Sequence, residues 1–400
     1  MHVIFLNGCL NERLGGPAGY LAKLKKNITD KNITFIYKGD CKRISSSTHF
    51  YKSYANKFLK NIYNNKITKK LLQNFYVKRV LKGYQFNNFF NQLNSNEIKS
   101  IHFHSTTDLY IFNKMFPENK AIKILTSHSP ELPADEMIQY YGFLNKKNKR
   151  ILYNFFLEVD KTAFKLSDYI IFPSKNSMEP YYNSLSDFSN LIKKAKIKYL
   201  YTGTPKLKIL EKKENVVDRY NLRGQFVVSY VGRHKKIKGY DLLQKAAEIL
   251  WNEGYNISFL IAGKEEPIKG LTDKRWIEVG WTKDPGSLIN ASDVFVLPNR
   301  QTYFDLILLE VLSLGKPIIA SNTGGNKDFF DKSKGVIPFE SENVESLVKA
   351  IIKLYNSKNL ESLGKQNLEL YYELFTIEKM AINYQKLIRE IYRENKIEVL

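Results

Sequence analysis

The sequence has few cysteines, no long apolar run and few acidic residues in its first half. Its 400 residues include two cysteines, Cys9 and Cys41, which are too few for a disulfide framework and lack metal-ligand spacing. This scarcity favours a reducing compartment. No stretch approaches the roughly 20 apolar residues of a membrane-spanning helix. The N-terminal MHVIFLNGCL has neither leading basic residues nor a small-residue cleavage site. We therefore expect a cytoplasmic protein that is soluble or peripheral to the membrane.

The shortage of acidic residues is uneven, although the formal net charge is +22 overall. Residues 1–200 contain 32 Lys and Arg against 14 Asp and Glu, whereas residues 201–400 contain 30 against 26. Residues 51–100 alone contain 10 against 1. A general compositional bias would raise both halves alike. The asymmetry instead favours an anionic partner for the first half, such as phospholipid, polyprenyl phosphate or nucleic acid.

Short apolar strands alternate with amphipathic helical stretches along the whole chain, which is typical of parallel sheets flanked by helices. We predict six strands in the first half, at residues 2–6, 34–37, 100–103, 121–126, 169–172 and 196–200. We predict six more in the second half, at residues 226–231, 257–262, 276–279, 294–297, 317–320 and 335–337. The pattern predicts an α/β protein with two doubly wound units of roughly 200 residues each.

The loop after the strand FVVSYV combines a glycine with two cations. Gly232 ends the strand, Arg233 follows it, and Lys238 shortly precedes a helix that starts at Tyr240. Ligands of doubly wound folds bind beyond the carboxyl ends of the strands, so both cations are placed to meet one. Arg donates bidentate hydrogen bonds and Lys supplies a compact charge, which suits a diphosphate. A solvated loop with His234 among its surface charges is the competing interpretation.

A second motif is the loop and helix FDLILLEVLSLGKPIIASNTGG. The helix starts near Asp305, and the free N–H groups of a first turn attract phosphate. Glu310 lies about one and a half turns further along, on the side of Leu306, where a carboxylate suits the hydroxyls of a ribose. A buried acid is costly without a partner. An ion pair between Glu310 and a nearby lysine therefore stays the alternative.

These two motifs, with residues 276–281 ahead of ASDVFVLP, resemble the nucleotide-sugar domain of glycosyltransferase family 4. Order and spacing agree across most of residues 226–340, and weaker agreement extends over the N-terminal half. The resemblance implies a GT-B fold, in which two Rossmann-like doubly wound domains face each other across a cleft. It implies an acceptor-binding domain over residues 1–204, a nucleotide-sugar-binding domain over residues 205–375, and a helix over residues 376–400 that crosses back to the first domain.

The resemblance also implies the residues of the active site. His128, Arg233, Lys238 and Glu310 would have the catalytic roles: the two cations hold the diphosphate, Glu310 binds the ribose, and His128 lies beside the transferred sugar. The base would lie near Gly280 and Trp281. The donor-binding residues that the resemblance implies are Gly15, Gly16, Gly232, Gly280, Trp281, Thr302, Phe304, Asp305, Leu306 and Ile307.

One departure from the family pattern concerns the donor sugar. The family places a second glutamate eight residues before Glu310, where this sequence has Thr302. The usual glycine near the helix start is Asp305. A hydroxyl can still bond a sugar hydroxyl, and Asp305 is a candidate for the missing carboxylate. The identity of the sugar and of the base stays open.

No Asp-x-Asp motif is present to hold a metal beside the diphosphate. Cationic loops and a helix N-terminus neutralise a leaving diphosphate without one. We therefore expect no cofactor and no metal, with the nucleotide-diphosphate sugar as co-substrate.

The basic stretch at residues 57–93 contains interleaved aromatic residues and has helical periodicity. Its plain interpretation is an amphipathic core helix with a solvated lysine face. The functional interpretation, which the charge of residues 51–100 favours, is a membrane-facing helix on the inner face of the cell membrane. A nucleic-acid partner is not expected, because no recognition motif is visible.

The sequence thus predicts a retaining glycosyltransferase that moves a sugar from a nucleotide diphosphate to an acceptor. The acceptor expected is a lipid-linked intermediate of surface polysaccharide or glycoconjugate synthesis. Two alternatives on the same fold stay open: a non-catalytic partner subunit of another glycosyltransferase, which Thr302 makes conceivable, and a sugar-nucleotide epimerase.

Overall fold

The computed structural model describes residues 1–12, 16–40 and 66–398. The chain forms two compact units, each built on a six-stranded parallel sheet with helices on its faces. The first unit comprises Met1–Phe172, Tyr181–Leu200 and Ala381–Leu400, and the second comprises Pro173–Pro180 and Tyr201–Met380. The predicted doubly wound α/β architecture is confirmed.

The first sheet has the strand order β2-β1-β3-β4-β5-β6. β1, β3 and β5 are buried along their whole length, because helices cover both faces of a parallel sheet. The six strands are β1 His2–Leu6, β2 Ile33–Tyr37, β3 Ser100–Phe103, β4 Ile122–Leu125, β5 Tyr169–Phe172 and β6 Lys196–Tyr199.

Most helices of the first unit bury their apolar residues, whereas Lys66–Gly83 also exposes Leu71 and Phe75. Among the described residues the helices of this unit are Gly16–Asn27, Lys66–Gly83, Thr106–Met115, Pro133–Gln139, Lys146–Leu166, Phe188–Leu191 and a 3₁₀ turn at Asn88–Leu93. The helix Glu179–Ser184 begins in the second unit, whose segment ends at Pro180, and continues in the first unit from Tyr181. The C-terminal helix Ile377–Glu394 lies with the first unit from Ala381 onward.

The second sheet has the order β12-β11-β10-β7-β8-β9. Its strands are β7 Phe226–Val231, β8 Ile257–Ala262, β9 Trp276–Gly280, β10 Val294–Leu297, β11 Ile318–Ser321 and β12 Val336–Phe339. A core of this unit packs β7 and β8 against the helices that follow β7 and β12, with Leu243, Ala247 and Ile351 fully buried.

The helices of the second unit have 7 to 13 residues, and those between its strands belong to the crossovers that parallel pairing requires. They are Lys213–Arg219, Tyr240–Asn252, Pro285–Ala291, Leu306–Leu312, Val344–Tyr355 and Leu360–Leu370, followed by a π-helical turn at Tyr371–Phe375. Three 3₁₀ turns, Asn176–Met178, Lys236–Lys238 and Gly324–Phe329, complete the unit.

All twelve predicted strands are present, and their ends differ from the predictions by at most two residues. The two units differ from the predicted ranges 1–204, 205–375 and 376–400 in three respects: the second unit begins at Tyr201, the chain returns to the first unit at Ala381, and Pro173–Pro180 belongs to the second unit. That segment, PSKNSMEP, is a polar stretch of eight residues directly after β5, too short to show a periodicity of its own. Sequence periodicity therefore contains no signal that would separate it from the first unit.

In the part of the chain that the structure describes, no helix has the length and apolar character needed to cross a membrane. Cys9 follows β1, and Cys41 lies outside the described residues.

Candidate functional site

The candidate site of the second unit lies where the order of its sheet reverses. β7 is flanked by β8 on one side and β10 on the other, so the crossovers that leave β7 and β10 diverge at their carboxyl ends. Such a switch point leaves an open crevice in doubly wound sheets. The loops at residues 232–239 and 298–305 begin there, one after each strand.

The loop after β7 is anchored at both ends and exposes one cation. The Gly232 amide donates to the Ala262 carbonyl at 2.9 Å. Gly239 has φ +66°, and a Cβ at this position would lie 1.7 Å from the Pro298 carbonyl oxygen, so only glycine fits. Arg233 is exposed, and its side chain forms no hydrogen bond or ion pair with the described residues. Its guanidinium is therefore available to a ligand.

The loop after β10 brings a carboxylate to the other cation. Asp305 is the N-cap of the helix Leu306–Leu312, but its side chain does not cap the helix. Instead, the Lys238 ammonium donates to Asp305 Oδ1 at 3.0 Å and to Oδ2 at 3.1 Å. The Asn299 side-chain amide also donates to Oδ2. Lys238 is therefore paired in this structure, and the predicted start of the helix at Asp305 is confirmed.

Two buried polar atoms of the same loop have no hydrogen-bond partner among the described residues: Thr302 Oγ1 and Asn299 Oδ1. Both side chains are 1% exposed. Gly324 has φ +45°, and a Cβ there would lie 1.9 Å from the Thr302 carbonyl oxygen. The turn at Gly324 and Gly325 therefore packs tightly on this loop. A buried polar atom without a partner costs about 1–3 kcal/mol. These atoms are thus suited to a water or a ligand hydroxyl.

The remaining predicted residues of this motif lie on and before the short helix. Glu310, Leu306 and Ile307 are half-buried, and the Glu310 carbonyl accepts from Ser313 Oγ at 2.6 Å. Phe304 is buried, and its ring centroid lies 6.1 Å from that of Tyr201 and 5.5 Å from that of Phe329. Phe304 is thus a packing residue that holds the loop.

Gly280 and Trp281, predicted near the base, line a cavity of about 420 Å³ together with Gly263, Lys264, Glu265, Glu278 and Val279. The Trp281 side chain is 72% exposed. Glu278 accepts hydrogen bonds from Trp276 Nε1, at 2.8 Å, and from the Tyr240 hydroxyl. Burial raises the pKa of the Glu278 carboxyl. The cavity therefore has an aromatic rim and one half-buried acid.

His234 is not the surface charge of the competing interpretation. It is fully buried, its ring stacks on Tyr240 with a centroid distance of 3.9 Å, and neither ring nitrogen has a hydrogen-bond partner among the described residues. Burial lowers the pKa of the imidazole, so it is neutral. A lone histidine between basic residues carries no sequence signal for burial, because the stacking partner is set by the fold.

The candidate site residues of the first unit lie at the carboxyl ends of β3 and β4. His128 follows β4, and its Nε2 is 2.9 Å from Nδ1 of His104, which follows β3. The Tyr20 ring centroid lies 4.9 Å from that of His128. Gly16 begins the helix Gly16–Asn27, whereas Gly15 lies outside the described residues. Burial lowers the pKa of His128 to about 4, so its ring is neutral at pH 7.

His102 is a core residue and belongs to a directed chain of hydrogen bonds. The Thr126 hydroxyl donates to the Ile171 carbonyl at 3.2 Å, so it accepts from His102 Nε2 at 2.8 Å. His102 Nδ1 then accepts from the Tyr384 hydroxyl at 2.9 Å. A carbonyl can only accept, which fixes the direction of every bond in the chain.

The same chain continues from Tyr384 into β1. The Tyr384 oxygen accepts from His2 Nε2 at 2.8 Å, and His2 Nδ1 accepts from the Ser100 hydroxyl at 2.6 Å. Ser100 accepts in turn from the Tyr392 hydroxyl at 2.9 Å. Burial lowers the pKa of His2 to about 3. Two tyrosines of the C-terminal helix are thus bonded to the first sheet: Tyr384 to neutral histidines of β1 and β3, and Tyr392 to Ser100 of β3.

The structure therefore brings together Arg233, Lys238, Thr302 and Asp305 at one sheet edge of the second unit, and His104 with His128 at one sheet edge of the first. Sequence reasoning missed Asn299 and the pairing of His104 with His128. Among residues 1–12, 16–40 and 66–398, no group of three or more His, Cys, Asp or Glu side chains is placed to hold a metal ion.

Residues 225–357, which include the second-unit motifs, match the family model described as Glycosyl transferases group 1. A Staphylococcus aureus protein named capsular polysaccharide biosynthesis glycosyltransferase CapM is 28% identical over 192 residues, 44% of this chain and 50% of CapM. An Escherichia coli protein named UDP-Gal:alpha-D-GlcNAc-diphosphoundecaprenol alpha-1,3-galactosyltransferase is 30% identical over 154 residues, 36% of this chain and 40% of that protein. The chain thus spans about half the length, or less, of these curated relatives.

A solved structure extends the likeness to nearly the whole chain. Sucrose-phosphate synthase from Thermosynechococcus elongatus superposes with a TM-score of 0.63 at 16% identity, covering 98% of this chain and 99% of that one. At this identity the likeness shows the fold, which is that of GT-B glycosyltransferases.

Proposed function

We propose that this protein is a glycosyltransferase that moves a sugar from a nucleotide-diphosphate sugar to an acceptor. The observation that carries the proposal is the coincidence of the family match at residues 225–357 with a cationic sheet edge. Arg233 and Lys238 lie at the switch point where doubly wound folds bind nucleotides. The glycosyltransferase names of the relatives support the same activity.

In this proposal the second unit binds the donor. Arg233, which is exposed and forms no ion pair with the described residues, meets the diphosphate, and Lys238 turns from Asp305 to do the same. These charges stabilise the negative charge that grows on the leaving diphosphate, as preorganised cations do in a dry site. Glu310 accepts hydrogen bonds from the ribose hydroxyls, and the base occupies the cavity beside Trp281.

The stereochemistry proposed is retention, on the resemblance to glycosyltransferase family 4. The acceptor hydroxyl attacks the anomeric carbon on the face that the diphosphate leaves, so the new bond keeps the configuration of the old one. The proton of that hydroxyl passes to a phosphate oxygen of the leaving group. His128 contacts the transferred sugar, and no protein nucleophile and no metal take part.

The acceptor proposed is a lipid-linked intermediate of surface polysaccharide synthesis. One relative is named for transfer to a diphosphoundecaprenol-linked sugar, and another for capsular polysaccharide synthesis. A polyprenyl diphosphate is anionic, which suits the positive charge of the first 200 residues.

The activity is tested with purified full-length protein in two stages. Calorimetry against UDP-, GDP- and ADP-sugars identifies the donor, and transfer is then assayed with a synthetic polyprenyl-diphosphate glycan. Lys238→Ala and Glu310→Ala are expected to abolish transfer while the circular dichroism spectrum stays unchanged. Lys349→Ala, an exposed lysine on the helix Val344–Tyr355, is the matched control and should keep wild-type turnover.

The same experiment separates the alternatives. Binding of a sugar nucleotide without transfer or hydrolysis would assign the chain as a non-catalytic partner subunit. Conversion of the donor to its epimer without acceptor would assign an epimerase. Wild-type turnover by Lys238→Ala would contradict the proposed donor site.

We further propose that the first unit docks on an anionic membrane surface. The helix Lys66–Gly83 presents Leu71 and Phe75, 63% and 66% exposed, on the face that also carries Lys78, Arg79 and Lys82. The cations Lys146, Lys147 and Arg150 start the helix Lys146–Leu166 beside it.

The two helices form one surface, because Gln73 Oε1 accepts from Asn145, and Asn148 donates to Asn74 at 3.0 Å. Exposed apolar side chains ringed by cations are the pattern of an interfacial helix, in which the apolar groups enter the headgroup region and the cations meet anionic lipid. Of the basic stretch at residues 57–93, residues 57–65 lie outside the described residues.

Co-sedimentation with vesicles tests this surface. We expect binding to vesicles with phosphatidylglycerol and little binding to pure phosphatidylcholine. The Leu71→Ser, Phe75→Ser double variant should lose most of it. Ile382→Ser removes a similarly exposed apolar residue, 47% exposed on the C-terminal helix, and should bind as wild type. Equal loss in both variants, or release of the protein by RNA and not by salt, would contradict a lipid surface.

A further inference from the structure

The hydrogen bond between His104 and His128 limits which nitrogen of each ring can carry the proton. His104 Nδ1 and His128 Nε2 are 2.9 Å apart, and both rings are neutral because burial lowers the pKa of each imidazole. A neutral imidazole has one N–H and one lone pair. One ring must therefore donate to the other, and the second nitrogen of each ring then has a defined state.

The surroundings of His104 decide which ring donates. His104 is 2% exposed, and its Nε2 has no hydrogen-bond partner among the described residues. If Nδ1 accepted, Nε2 would carry a buried proton without an acceptor. If Nδ1 donates, Nε2 keeps a buried lone pair instead. Orphaned N–H groups are rarer in proteins than under-satisfied acceptors, so the second arrangement is favoured.

We infer that His104 donates through Nδ1 and thereby fixes His128 as the tautomer that is protonated at Nδ1. His104 is then a positioning residue. The lone pair of His128 is occupied, and its open ring atom is an N–H group, since Nδ1 forms no hydrogen bond with the described residues and is not among the buried atoms without a partner.

The tautomer determines what His128 can do in the proposed reaction. With Nε2 taken by His104, His128 presents a hydrogen-bond donor and has no free lone pair to accept a proton. It therefore donates to a sugar hydroxyl oxygen and does not act as general base. The contact between His128 and a sugar hydroxyl rests on the proposed function. The tautomer of His128 does not depend on it.

Nuclear magnetic resonance tests the tautomer without any activity. The six histidines are labelled with ¹⁵N, and His128 is assigned from the spectrum of His128→Gln. In the wild-type protein without ligand we expect Nδ1 of His128 to be the protonated nitrogen. A wild-type His128 protonated at Nε2 overturns the inference, whatever the protein catalyses.

Two substitutions at position 104 separate positioning from packing. His104→Asn places an amide donor near the site of Nδ1 and should keep the His128 tautomer and, within about two-fold, the kcat/KM for the donor. His104→Leu fills similar space without a donor, and should yield mixed tautomers and about ten-fold lower kcat/KM, the effect of roughly 1.4 kcal/mol. An unchanged tautomer in His104→Leu, or equal losses in both variants, overturns the role. Absence of transfer in the wild type, with the expected tautomer, refutes only the proposed function.

Discussion

Lys238 and Asp305 form a bidentate ion pair at the switch point of the second sheet, with the ammonium 3.0 and 3.1 Å from the two carboxylate oxygens. Their side chains are 26% and 20% exposed, so the pair is partly screened from water. The cation proposed to hold the diphosphate is thus neutralised before any donor binds. A diphosphate that binds to Lys238 must compete with this carboxylate.

Removing the competing charge should therefore strengthen nucleotide binding. Asp305→Asn keeps the size of the side chain and a hydrogen bond to Asn299, but it leaves Lys238 without an anion. We expect calorimetry to show a roughly 5- to 30-fold lower Kd for the nucleoside diphosphate of the donor, the effect of about 1–2 kcal/mol.

Asp273→Asn is the matched control for this change. It removes an aspartate that pairs with Arg275 at 2.8 Å in the same unit, before β9 and therefore at the opposite edge of the sheet. Nucleotide affinity should stay at the wild-type value. If Asp305→Asn binds more weakly than the wild type, Asp305 contributes to the ligand and does not compete with it.

Thr302 gives a second test, because its buried hydroxyl has no partner among the described residues. Thr302→Val keeps the shape of the side chain and removes an oxygen that costs free energy to bury. We expect the free energy of unfolding to stay unchanged or to rise by about 1 kcal/mol. The KM for the donor sugar nucleotide should rise, while affinity for the nucleoside diphosphate without its sugar should not change. A loss of stability would instead assign the hydroxyl to the fold.

The elements and the placement of the motifs were predictable from the sequence, because short apolar strands and their glycine-ended loops depend on local patterns. The spacing of Gly232, Arg233 and Lys238 is one such local pattern. The pairing of Lys238 with Asp305 is not, because the two residues are brought together by the adjacency of β7 and β10. Burial of His234 likewise depends on the ring of Tyr240.

The histidines of the first unit illustrate the same limit. His102 lies on β3 and His104 directly after it, and this alternation fits a ligand site and a core equally well. The structure gives the two histidines different roles, because Tyr384 of the C-terminal helix forms a hydrogen bond with His102 and not with His104. No local pattern indicates a contact between residues 282 positions apart in the chain.

Tyr384 should be a strong determinant of stability for this reason. Its hydroxyl accepts from His2 and donates to His102, so Tyr384→Phe leaves a buried N–H group and a buried lone pair without partners. We expect a loss of about 2–4 kcal/mol in the free energy of unfolding, measured by urea denaturation and circular dichroism.

Tyr392→Phe is the control, because the Tyr392 hydroxyl ends the chain with a single bond to Ser100. It should cost about 1 kcal/mol. Equal costs for the two substitutions would mean that the two hydrogen bonds of Tyr384 contribute no more to stability than the single bond of Tyr392.

The buried histidines also predict how stability depends on pH. Burial holds the pKa of His2 near 3 and of His128 near 4, and it lowers the pKa of His102 and His104 well below 6.5. Because these folded-state pKa values lie below the unfolded value, the unfolded chain binds more protons. The stability that the neutral rings contribute is therefore fully present above about pH 6.5 and is lost as the pH falls below it.

Two buried acids act in the opposite direction in the same pH range. Burial raises the pKa of Asp108 to about 6 and of Asp160 to about 7, so the folded state binds protons there. On unfolding, the four histidines take up about two more protons than the two aspartates release. Each proton taken up in excess changes the free energy of unfolding by about 1.4 kcal/mol per pH unit. We expect the free energy of unfolding of the first unit to fall by about 3 kcal/mol per pH unit between about pH 6 and pH 5.

The two units can be followed separately in this measurement. Trp251, Trp276 and Trp281 all lie in the second unit, so tryptophan fluorescence reports on that unit, whereas circular dichroism reports on both. In the second unit the lowered pKa of His234 makes the unit less stable on acidification, and the raised pKa of Glu278 makes it more stable. Its free energy of unfolding should therefore change less. On acidification we expect the urea midpoint seen by circular dichroism to fall below the midpoint seen by fluorescence. Coincident midpoints at every pH would contradict the assignment of the neutral histidines as the source of acid sensitivity.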